Sequence, residues 1–523
     1  IQTEQTPNDK VRRVNLNPQA ITALQQVIQK LTKDSSIAAV DLNYIVSTQI
    51  VPNDPYYSST GSWSQTYDDL WGMKKINMEQ GWDQATGSAS IVVAGIDTGV
   101  DRNHEDLKDN MWVNTNETSN NGIDDDGNGY TDDYYGWDWA NNDNDPMDDH
   151  GHGTHTVGTI AGVGNNGVGV VGVNWTSKIM ALKFLSSGGS GSLDDGIKAL
   201  QYAADMGARV SSNSWGCACN SLAMADAVKY EHDKGMVMVA AAGNSNADAI
   251  DFSPASADFA IAVAASDPND LKASFSNWGE KIDVSAPGVD ILSTRASNNP
   301  MCTAARTVGT QYCRVSGTSM ATPHVAGLAA LLLSKNPALT NEDIRQILRR
   351  GADDLGASGK DKDFGYGRIN ANNSLISAQS VLNPILTSPR SRTLLIGTGS
   401  VEITGSVSGS NFSNYTLELG LGRSPTSWTI ISTSNTQPNS DQGLGSVNYT
   451  NMADGKYILR LTATDTSGKT YQFQTHDIEI DNFDAQISFP TGLVSLDLVN
   501  VVGMAQTKNG LAISSYKLQC GQY

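Results

Sequence analysis

An aspartate, a histidine and a serine, each beside glycine, could together carry out nucleophilic catalysis in this 523-residue chain. Asp97 ends the apolar run 92–96, His152 lies in His-Gly-His-Gly-Thr-His, and Ser319 lies in Ser-Gly-Thr-Ser-Met-Ala-Thr-Pro. A serine hydroxyl becomes a nucleophile when a neighbouring base takes its proton, and the base needs an acceptor that fixes its tautomer. Taken singly, each residue has a structural explanation as a turn aspartate, a structural histidine or a capping serine. Their combination favours a catalytic Asp-His-Ser set.

The turn before Ser319 suits this chemistry. Gly317 allows a sharp turn, and the apolar run 325–333 predicts a buried helix that starts near the serine. The N-terminus of a helix offers free backbone N–H groups and the positive end of the helix dipole, which stabilise developing negative charge.

The elements that must position these residues alternate along the chain. Apolar strands are predicted at 91–96, 178–185, 207–211, 236–242 and 259–265, and helices at 193–206, 221–234 and 319–335. Short apolar strands separated by helices are typical of a mostly parallel sheet that is covered on both faces, an α/β fold. Functional residues in such sheets lie at the carboxyl ends of the strands.

Composition excludes several classes of partner. The net charge of −20 argues against nucleic acid and anionic membranes as ligands. No apolar run reaches 18 residues, so no transmembrane helix is expected. Without a Cys-x-x-Cys pair among the five cysteines, a zinc site is improbable.

The cysteines leave some pairings open. Cys302 and Cys313 could form a disulfide that stabilises the fold by about 2–4 kcal/mol. Cys217 and Cys219 are too close in sequence to be expected to pair with each other. The odd count leaves one thiol unpaired or paired across chains.

Both flanks differ from the central region. In residues 1–50, strand patterns at 11–16 and 37–46 enclose a helix pattern at 18–33, which indicates part of a small α+β unit. After Pro384 the chain is rich in Ser, Thr, Gly and Asn, with alternating strands that predict a β-sandwich.

The sandwich region contains a repeat. The segment around Tyr415 returns 101 residues later around Tyr516. The repeat predicts a module at 384–482 and a truncated second copy at 483–523. We expect the sequence to begin downstream of the true start, because it opens with Ile1, and to stop short of the natural end at Tyr523.

An acidic segment lies between the first two candidate catalytic residues. Residues 101–149 contain fifteen acidic and two basic side chains, interspersed with Asn and Gly, and one stretch fits the first half of a calcium loop. The expected ligands are Asp124, Asp126, Asn128, Tyr130 and Asp132. Tyr135 occupies the position of the closing glutamate, so the loop could close through Asp132 or Asp133; the alternative is a disordered acidic turn.

The three catalytic motifs resemble those of the subtilisin-like serine peptidases, the subtilases. The resemblance covers roughly 54–380, within a catalytic domain placed at 51–380, and the segment before it. It implies that Asp97 orients His152, that His152 is the general base and then the acid, and that Ser319 is the nucleophile. In Ala-Ala-Ala-Gly-Asn, Asn244 would join the Ser319 N–H as an oxyanion donor. His150 and His155 are interpreted as structural.

The same resemblance implies an extended peptide substrate that pairs with two wall segments. These walls are Ser214, Trp215 and Gly216 on one side and Gly189, Ser190 and Gly191 on the other. Trp215 would border the primary pocket. The chain departs from the simplest family members at Cys217-Ala-Cys219 and in an insert at 296–314, so selectivity is expected to depend on these segments.

Two further calcium sites follow from the resemblance. One comprises Asp138, Asn141, Asp143 and Asp145. The other comprises Asp54, Asp106, Asn166 and the carbonyls of Val168 and Val170. These Ca²⁺ ions would be structural, and no catalytic metal is expected, since the triad and the oxyanion donors suffice for hydrolysis.

The resemblance also implies that the chain is made as an inactive precursor and matures by cleavage. Residues 1–50 look like the second half of an inhibitory propeptide that occupies the cleft of its own chain. Autocatalytic cleavage is expected between about Tyr44 and Asn53, which N-terminal sequencing of the mature enzyme would check.

The chain would then be a secreted or cell-surface, calcium-stabilised endopeptidase that acts on polypeptides. The alternatives are a transpeptidase or cyclase that uses the same acyl-enzyme, and an inactive binding or adhesion protein. The sandwich modules could contact polysaccharide or the cell surface, or only act as spacers.

Overall fold

The computed structural model describes residues 2–5, 12–15, 31–33, 50–297, 300–489 and 502–507. The chain forms two compact units, Ile1–Gln49 and Ile50–Tyr523. In the first unit, strands β1 (Gln2–Gln5) and β2 (Arg12–Asn15) pair antiparallel. The helix expected at 18–33 lies outside the described residues except at its end, and the strand expected at 37–46 lies wholly outside them.

The centre of the second unit is a seven-stranded sheet in the order β4-β5-β3-β6-β7-β8-β9, and every pair in it is parallel. Its strands, in chain order, are β3 (Val92–Asp97), β4 (Gly136–Asp138), β5 (Lys178–Lys183), β6 (Val210–Asn213), β7 (Val237–Ala241), β8 (Ile261–Ser266) and β9 (Val284–Pro287). The five predicted strands are confirmed within a few residues, whereas β4 and β9 were not predicted. The mostly parallel α/β fold class is therefore confirmed.

Helices cover both faces of this sheet. In chain order they are α1 (Pro55–Ser58), α2 (Trp71–Lys75), α3 (Met78–Trp82), α4 (His152–Ala161), α5 (Leu193–Asp205), α6 (Leu222–Asp233), α7 (Thr318–Lys335), α8 (Asn341–Gly351) and α9 (Ala371–Ile376). Val93 packs in one core with residues of α4 and α7, and its neighbour Ala94 packs in a second core with residues of α5 and α6. Successive strand residues thus face opposite layers, as a sheet buried on both faces requires.

The insert before Ser319 forms a small antiparallel sheet. Strands β10 (Ile291–Thr294), β11 (Thr307–Val308) and β12 (Tyr312–Val315) pair in the order β10-β12-β11. Cys302 and Cys313 form the predicted disulfide within it.

After residue 382 the chain builds two antiparallel sheets around a separate apolar core, as a β-sandwich requires. The strands are β13 (Asn383–Ser388), β14 (Leu394–Ile396), β15 (Ser400–Ser408), β16 (Phe412–Leu421), β17 (Thr429–Ser434), β18 (Gln442–Asn448), β19 (Gly455–Asp465) and β20 (Thr470–Asp481). The sheet orders are β13-β15-β18 and β14-β20-β19-β16-β17, with β14 joining β20 in parallel.

Little of the proposed second module is described. Strands β21 (Phe483–Phe489) and β22 (Val502–Thr507) pair antiparallel, and the repeat around Tyr516 lies outside the described residues. In the part of the chain that the structure covers, no helix combines the length and apolar character needed to cross a membrane.

Candidate active site

Asp97 and His152 meet at the carboxyl end of the central strand. Asp97 is the last residue of β3 and is 2% exposed, and His152 is the first residue of α4. The Nδ1 atom of His152 lies 2.7 Å from Oδ1 and 2.9 Å from Oδ2 of Asp97. Asp97 also accepts the Thr98 backbone N–H at 2.7 Å. The contact holds the imidazole in the tautomer that carries its proton on Nδ1, which leaves Nε2 as a base.

This environment stabilises the protonated form of His152. Burial alone lowers the pKa of the imidazole, but the charge of Asp97, its hydrogen bond and the charge of Asp148 outweigh burial and raise the pKa above its ordinary value. His155 differs. Burial and the nearby His152 lower its pKa to about 3, and its Nε2 lies 3.0 Å and 3.1 Å from the carbonyls of Ile291 and Cys313. His155 therefore links α4 to the insert.

Asp148 positions the glycine turn before His152 and was missed in the sequence. Its buried carboxylate accepts the backbone N–H groups of His150, Gly151 and Thr154 and the hydroxyls of Thr154 and Thr98. Only its place four residues before His152, at the mouth of a helix, could have indicated this role.

Ser319 is the second residue of α7 and contacts one wall of a cleft. Its Oγ donates to the carbonyl of Ser214 at 2.9 Å, and the Oγ of Ser214 donates to the carbonyl of Ser319 at 2.9 Å. A hydroxyl donates one proton, so in this conformation it is directed to Ser214 rather than to His152. The reciprocal bonds fix the start of α7 against the end of β6.

Asn244 has its side-chain amide oriented by Thr318. Its Oδ1 accepts the backbone N–H of Thr318 at 2.8 Å and the hydroxyl of Thr318 at 2.9 Å. The Nδ2 group must therefore point the other way, and it lies 3.6 Å from the position that a Cβ would take at Gly317. Its N–H donors thus lie next to the turn that carries Ser319.

Asn277 supports the Asn244 loop and was also missed in the sequence. It is fully buried, donates to the carbonyl of Ala242 at 2.8 Å, and accepts the N–H groups of Ser245 and Ala247. A side chain at Gly243, whose φ is +107°, would bring a Cβ to 2.4 Å from the Asn277 amide. Glycine is therefore required there.

The cleft itself has a volume of about 470 Å³. Both predicted wall segments line it together with His152: Ser214, Trp215 and Gly216 on one side, and Gly189, Ser190 and Gly191 on the other. Trp215 packs edge-on against Phe184, with ring centroids 4.7 Å apart.

His150 also lines the cleft, and its interpretation as a structural residue stays a prediction. The insert contacts the cleft lining at His150, whose carbonyl accepts the Met301 N–H at 3.3 Å.

Cys217 and Cys219, which were too close in sequence to be expected to pair with each other, do so. They form a disulfide with their Cα atoms 5.2 Å apart, a separation that a disulfide bridges readily.

Glu117, which was not expected as a ligand, lies beside two carboxylates of the acidic loop. Oxygen atoms of Glu117, Asp124 and Asp126 lie within 4.8 Å of one another. Glu117 is 5% exposed; its Oε1 accepts two backbone N–H groups, and its buried Oε2 has no hydrogen-bond partner among the described residues. A buried oxygen without a donor, next to two further carboxylates, fits a hard cation such as Ca²⁺.

The two aspartates expected to close this loop accept hydrogen bonds from the chain, and closure through either stays a prediction. Asp132 accepts the N–H groups of Asn121 and Gly122, and Asp133 accepts from Asn114, Asn128 and Tyr202. Tyr130 donates its N–H to Oδ1 of Asn128, and its ring packs against aromatic neighbours.

The structure brings the members of the Asp54 site together. Asp54 and Asp106 are 1% and 0% exposed, and Asn166 donates its side-chain amide to Asp106 at 2.8 Å. The backbone N–H of Val170 also donates to Asp106, whereas the backbone N–H of Val168 donates to the side-chain oxygen of Asn166. Burial raises the pKa of Asp106 to about 7, and the charge of Asp54 adds to the effect. Two buried carboxylates without a basic partner among the described residues also suit a cation.

In the third expected calcium site, the residues form hydrogen bonds with one another. Asp138 accepts the backbone and side-chain N–H groups of Asn141, and Asp143 accepts the N–H of Asp145. Asp145 forms an ion pair with Arg102 at 2.5 Å. Calcium binding by this loop stays a prediction.

Comparison with known proteins gives a consistent result. A model of the subtilase family matches residues 88–367. A thermophilic serine proteinase of Bacillus sp. strain AK1 is 39% identical over 368 residues, which cover 70% of this chain and 80% of that protein. Thermitase of Thermoactinomyces vulgaris is 38% identical over 61% of this chain and 97% of its own length. The solved structure of a protease from Pseudoalteromonas arctica PAMC 21717 matches 63% of this chain and 99% of its own, with 29% identity and a TM-score of 0.50.

Proposed function

Since this chain belongs to the subtilase family and is a subtilisin-like serine endopeptidase, we propose that Ser319, His152 and Asp97 carry out its reaction. The observation that carries the proposal is that Nδ1 of His152 lies within hydrogen-bond distance of both carboxylate oxygens of the buried Asp97. This contact leaves Nε2 of the imidazole ready to accept a proton. The Ser319 turn and the Asn244 amide complete the set of groups that acyl transfer needs.

Acylation begins when the Ser319 hydroxyl leaves the carbonyl of Ser214 and donates to Nε2 of His152. The serine oxygen attacks the substrate carbonyl carbon while the proton passes to His152, and Asp97 stabilises the imidazolium. The negative charge on the substrate oxygen is met by the N–H of Ser319 and the side-chain amide of Asn244. His152 then gives the proton to the leaving amine as the C–N bond breaks.

Deacylation repeats these steps with water. His152 takes a proton from a water molecule that attacks the ester carbon, and the proton returns to Ser319 as the ester bond breaks. The raised pKa of His152 favours the transient imidazolium in both halves of the reaction.

Polypeptide substrates would lie extended between the two walls of the cleft. Backbone groups of Ser214 and Gly216 on one side and of Gly189 and Gly191 on the other would pair with the substrate backbone. The ring of Trp215, supported by Phe184, would border the pocket for a large apolar side chain.

Structural calcium is part of the proposal. Glu117, Asp124 and Asp126 would hold one ion, and Asp54, Asp106 and Asn166 would take part in a second. In these positions Ca²⁺ would offset carboxylate repulsion and hold surface loops against local unfolding and self-digestion.

We further propose that the enzyme is secreted and that residues 1–50 act as its inhibitory propeptide. The two disulfides, Cys217–Cys219 and Cys302–Cys313, support an oxidising compartment. The propeptide assignment depends on sequence resemblance, since most of this segment lies outside the described residues.

The test compares casein hydrolysis by the wild type, Ser319→Ala and a matched control. Ser319→Ala should lose at least about 10⁴-fold in kcat, because it removes the hydroxyl that would attack the substrate carbonyl. The control Ser334→Ala removes a hydroxyl near the end of the same helix, where it donates only to the carbonyl of Ala330, and should keep full activity. Equal activity of wild type and Ser319→Ala would contradict the triad.

A further inference from the structure

A second crevice, between the catalytic domain and the β-sandwich, has a volume of about 460 Å³, close to that of the cleft. Helix α8 and the loop that follows it form one side, and strands β19 and β20 with the segment around Trp428 form the other. Its lining contains four cationic side chains and one carboxylate, Glu280, in a chain whose net charge is −20. A local excess of positive charge on an acidic protein marks a place for an anionic ligand.

Two of the four cations are each held by several bonds inside the protein. Arg349 bonds to Asp283 and, through Nη1, to the carbonyl of Gln472 at 2.6 Å. Lys360 donates to the backbone carbonyl of Glu280 and, at 2.8 Å, to the side chain of Gln474. These bonds make the floor of the crevice rigid.

The other two cations keep free donors. Arg350 is exposed and has neither an ion pair nor a hydrogen bond within the described part of the chain; its guanidinium lies 4.8 Å from the ring centre of Tyr471. Arg460 uses Nε and Nη2 on Glu418 and stacks 3.7 Å from the ring centre of Trp428, so its Nη1 donors remain. Both guanidinium groups are held by aromatic rings and can receive a carboxylate in the planar fork geometry that it prefers.

The edge of strand β20 lines the same crevice and presents backbone N–H and C=O groups to it. The turn bond from Asp465 N–H to the Lys469 carbonyl makes residues 465 and 469 a hydrogen-bonded pair. Because such pairs alternate along antiparallel strands, Thr470, Gln472 and Gln474 direct their N–H and C=O groups away from β19. The carbonyl of Gln472 confirms this direction, since it accepts from Gln346 and Arg349.

The outward backbone groups of Thr470 and Gln474 have no such partner among the described residues. Because Gln346 and Arg349 of α8 cover this edge at Gln472, a peptide cannot add along it as a complete further strand. The outward N–H and C=O groups of Thr470 and Gln474 can still each bond to a peptide group, so the charged crevice suits a peptide better than an isolated anion.

The aromatic rings argue against a saccharide. Sugars bind to the exposed faces of aromatic rings, but each of the three rings in the lining already carries a guanidinium over one face: Arg349 over Tyr366, Arg350 over Tyr471 and Arg460 over Trp428. The rings thus support cations rather than serve as platforms.

We propose that this crevice binds an extended acidic peptide segment, whose carboxylates bond to Arg350 and Arg460 and whose backbone hydrogen-bonds to the outward groups of Thr470 or Gln474. The site is separate from the cleft and does not depend on the triad. It gives the enzyme a second contact for polypeptides that carry acidic stretches.

The test measures fluorescence anisotropy of a fluorescein-labelled hexapeptide of alternating glutamate and threonine, added to the full chain in a Ser319→Ala background that prevents cleavage. Mass spectrometry confirms that the peptide stays intact. The same peptide with glutamine for glutamate should bind at least about tenfold more weakly, because it loses charge-assisted hydrogen bonds. Binding should also weaken as NaCl rises from about 50 to 300 mM.

Adding Arg350→Gln should weaken binding of the glutamate peptide about tenfold. The control Arg390→Gln removes an exposed arginine outside the crevice, paired with Asp226, and should change nothing. A peptide N-methylated at alternate residues lacks half of its backbone N–H donors and should bind more weakly than its parent.

Unchanged affinity in Arg350→Gln would overturn the site, and equal affinity of the N-methylated peptide would overturn the backbone hydrogen bonds. Arg350-dependent binding of an oligogalacturonate without binding of the peptide would overturn the choice of ligand.

Discussion

Buried carboxylates occur both in the catalytic cleft and in the acidic loops of this enzyme, and their surroundings differ. The negative charge of Asp97 is paired with His152, and this charge raises the pKa of the imidazole. Asp54 and Asp106 lie beside each other, and Glu117 faces Asp124 and Asp126. The cleft therefore balances its charge with residues of the chain itself, whereas we propose that the acidic loops bind a cation from solution. Catalysis and calcium-dependent stability should accordingly respond to different substitutions.

The largest effect expected from breaking this balance comes from Asp97→Asn. An asparagine can hold the imidazole only in the wrong tautomer and cannot stabilise its charge, so kcat/KM should fall about 10⁴-fold. In the wild type, activity needs the neutral imidazole, so kcat/KM should fall as the pH drops through a His152 pKa above its ordinary value.

The same variant should also move the acid limb of the pH profile to lower pH. Loss of the carboxylate removes the main influences that raise the pKa of His152 and leaves burial, which lowers it. The measurement is the residual hydrolysis of a chromogenic peptide across pH 5–9. An acid limb that stays in place would show that Asp97 does not set the proton affinity of His152.

A smaller effect is expected from Asn244→Ala, which removes one donor and leaves the Asp97–His152 contact intact. Loss of one oxyanion donor should lower kcat by about 10²–10³ and change KM little, because the bond forms mainly in the transition state. The exposed Asn448→Ala in the sandwich is the matched control. A rise in KM at constant kcat would instead make Asn244 a ground-state binding residue.

The contrast between the two regions also explains what the sequence could predict. Asp97, His152 and Ser319 each lie in a local motif, and apolar runs revealed five of the seven strands of the sheet. Strand β4 has only three residues and carries no pattern of its own.

Residues that act from a distance were not predictable in this way. Glu117 lies beside Asp124 in space but seven positions before it in sequence, outside the spacing of a standard calcium loop. Asn277 supports a loop more than 30 residues away along the chain. Only tertiary structure brings such residues to the site, whereas sequence spacing reports neighbours on the same element.

The smallest effect, and the sharpest test of the comparison, is expected from Glu117→Gln. The substitution keeps the shape of the side chain but removes one charge from the acidic cluster, so it should weaken Ca²⁺ binding there. A cation at about 100 times its Kd stabilises a fold by about 2.7 kcal/mol, and a chelator should therefore lower the wild-type Tm by several degrees.

In Glu117→Gln the chelator should lower the Tm by fewer degrees, because only the remaining calcium sites would still respond, while kcat at 25 °C should be unchanged. The measurement is calorimetric unfolding with and without calcium, in a Ser319→Ala background to prevent self-digestion, with Glu402→Gln in the sandwich as control. If Glu117→Gln kept the full calcium-dependent shift in Tm, the cluster around Asp124 would not be a calcium site. If it lowered kcat, the cleft would not be independent of the acidic loops.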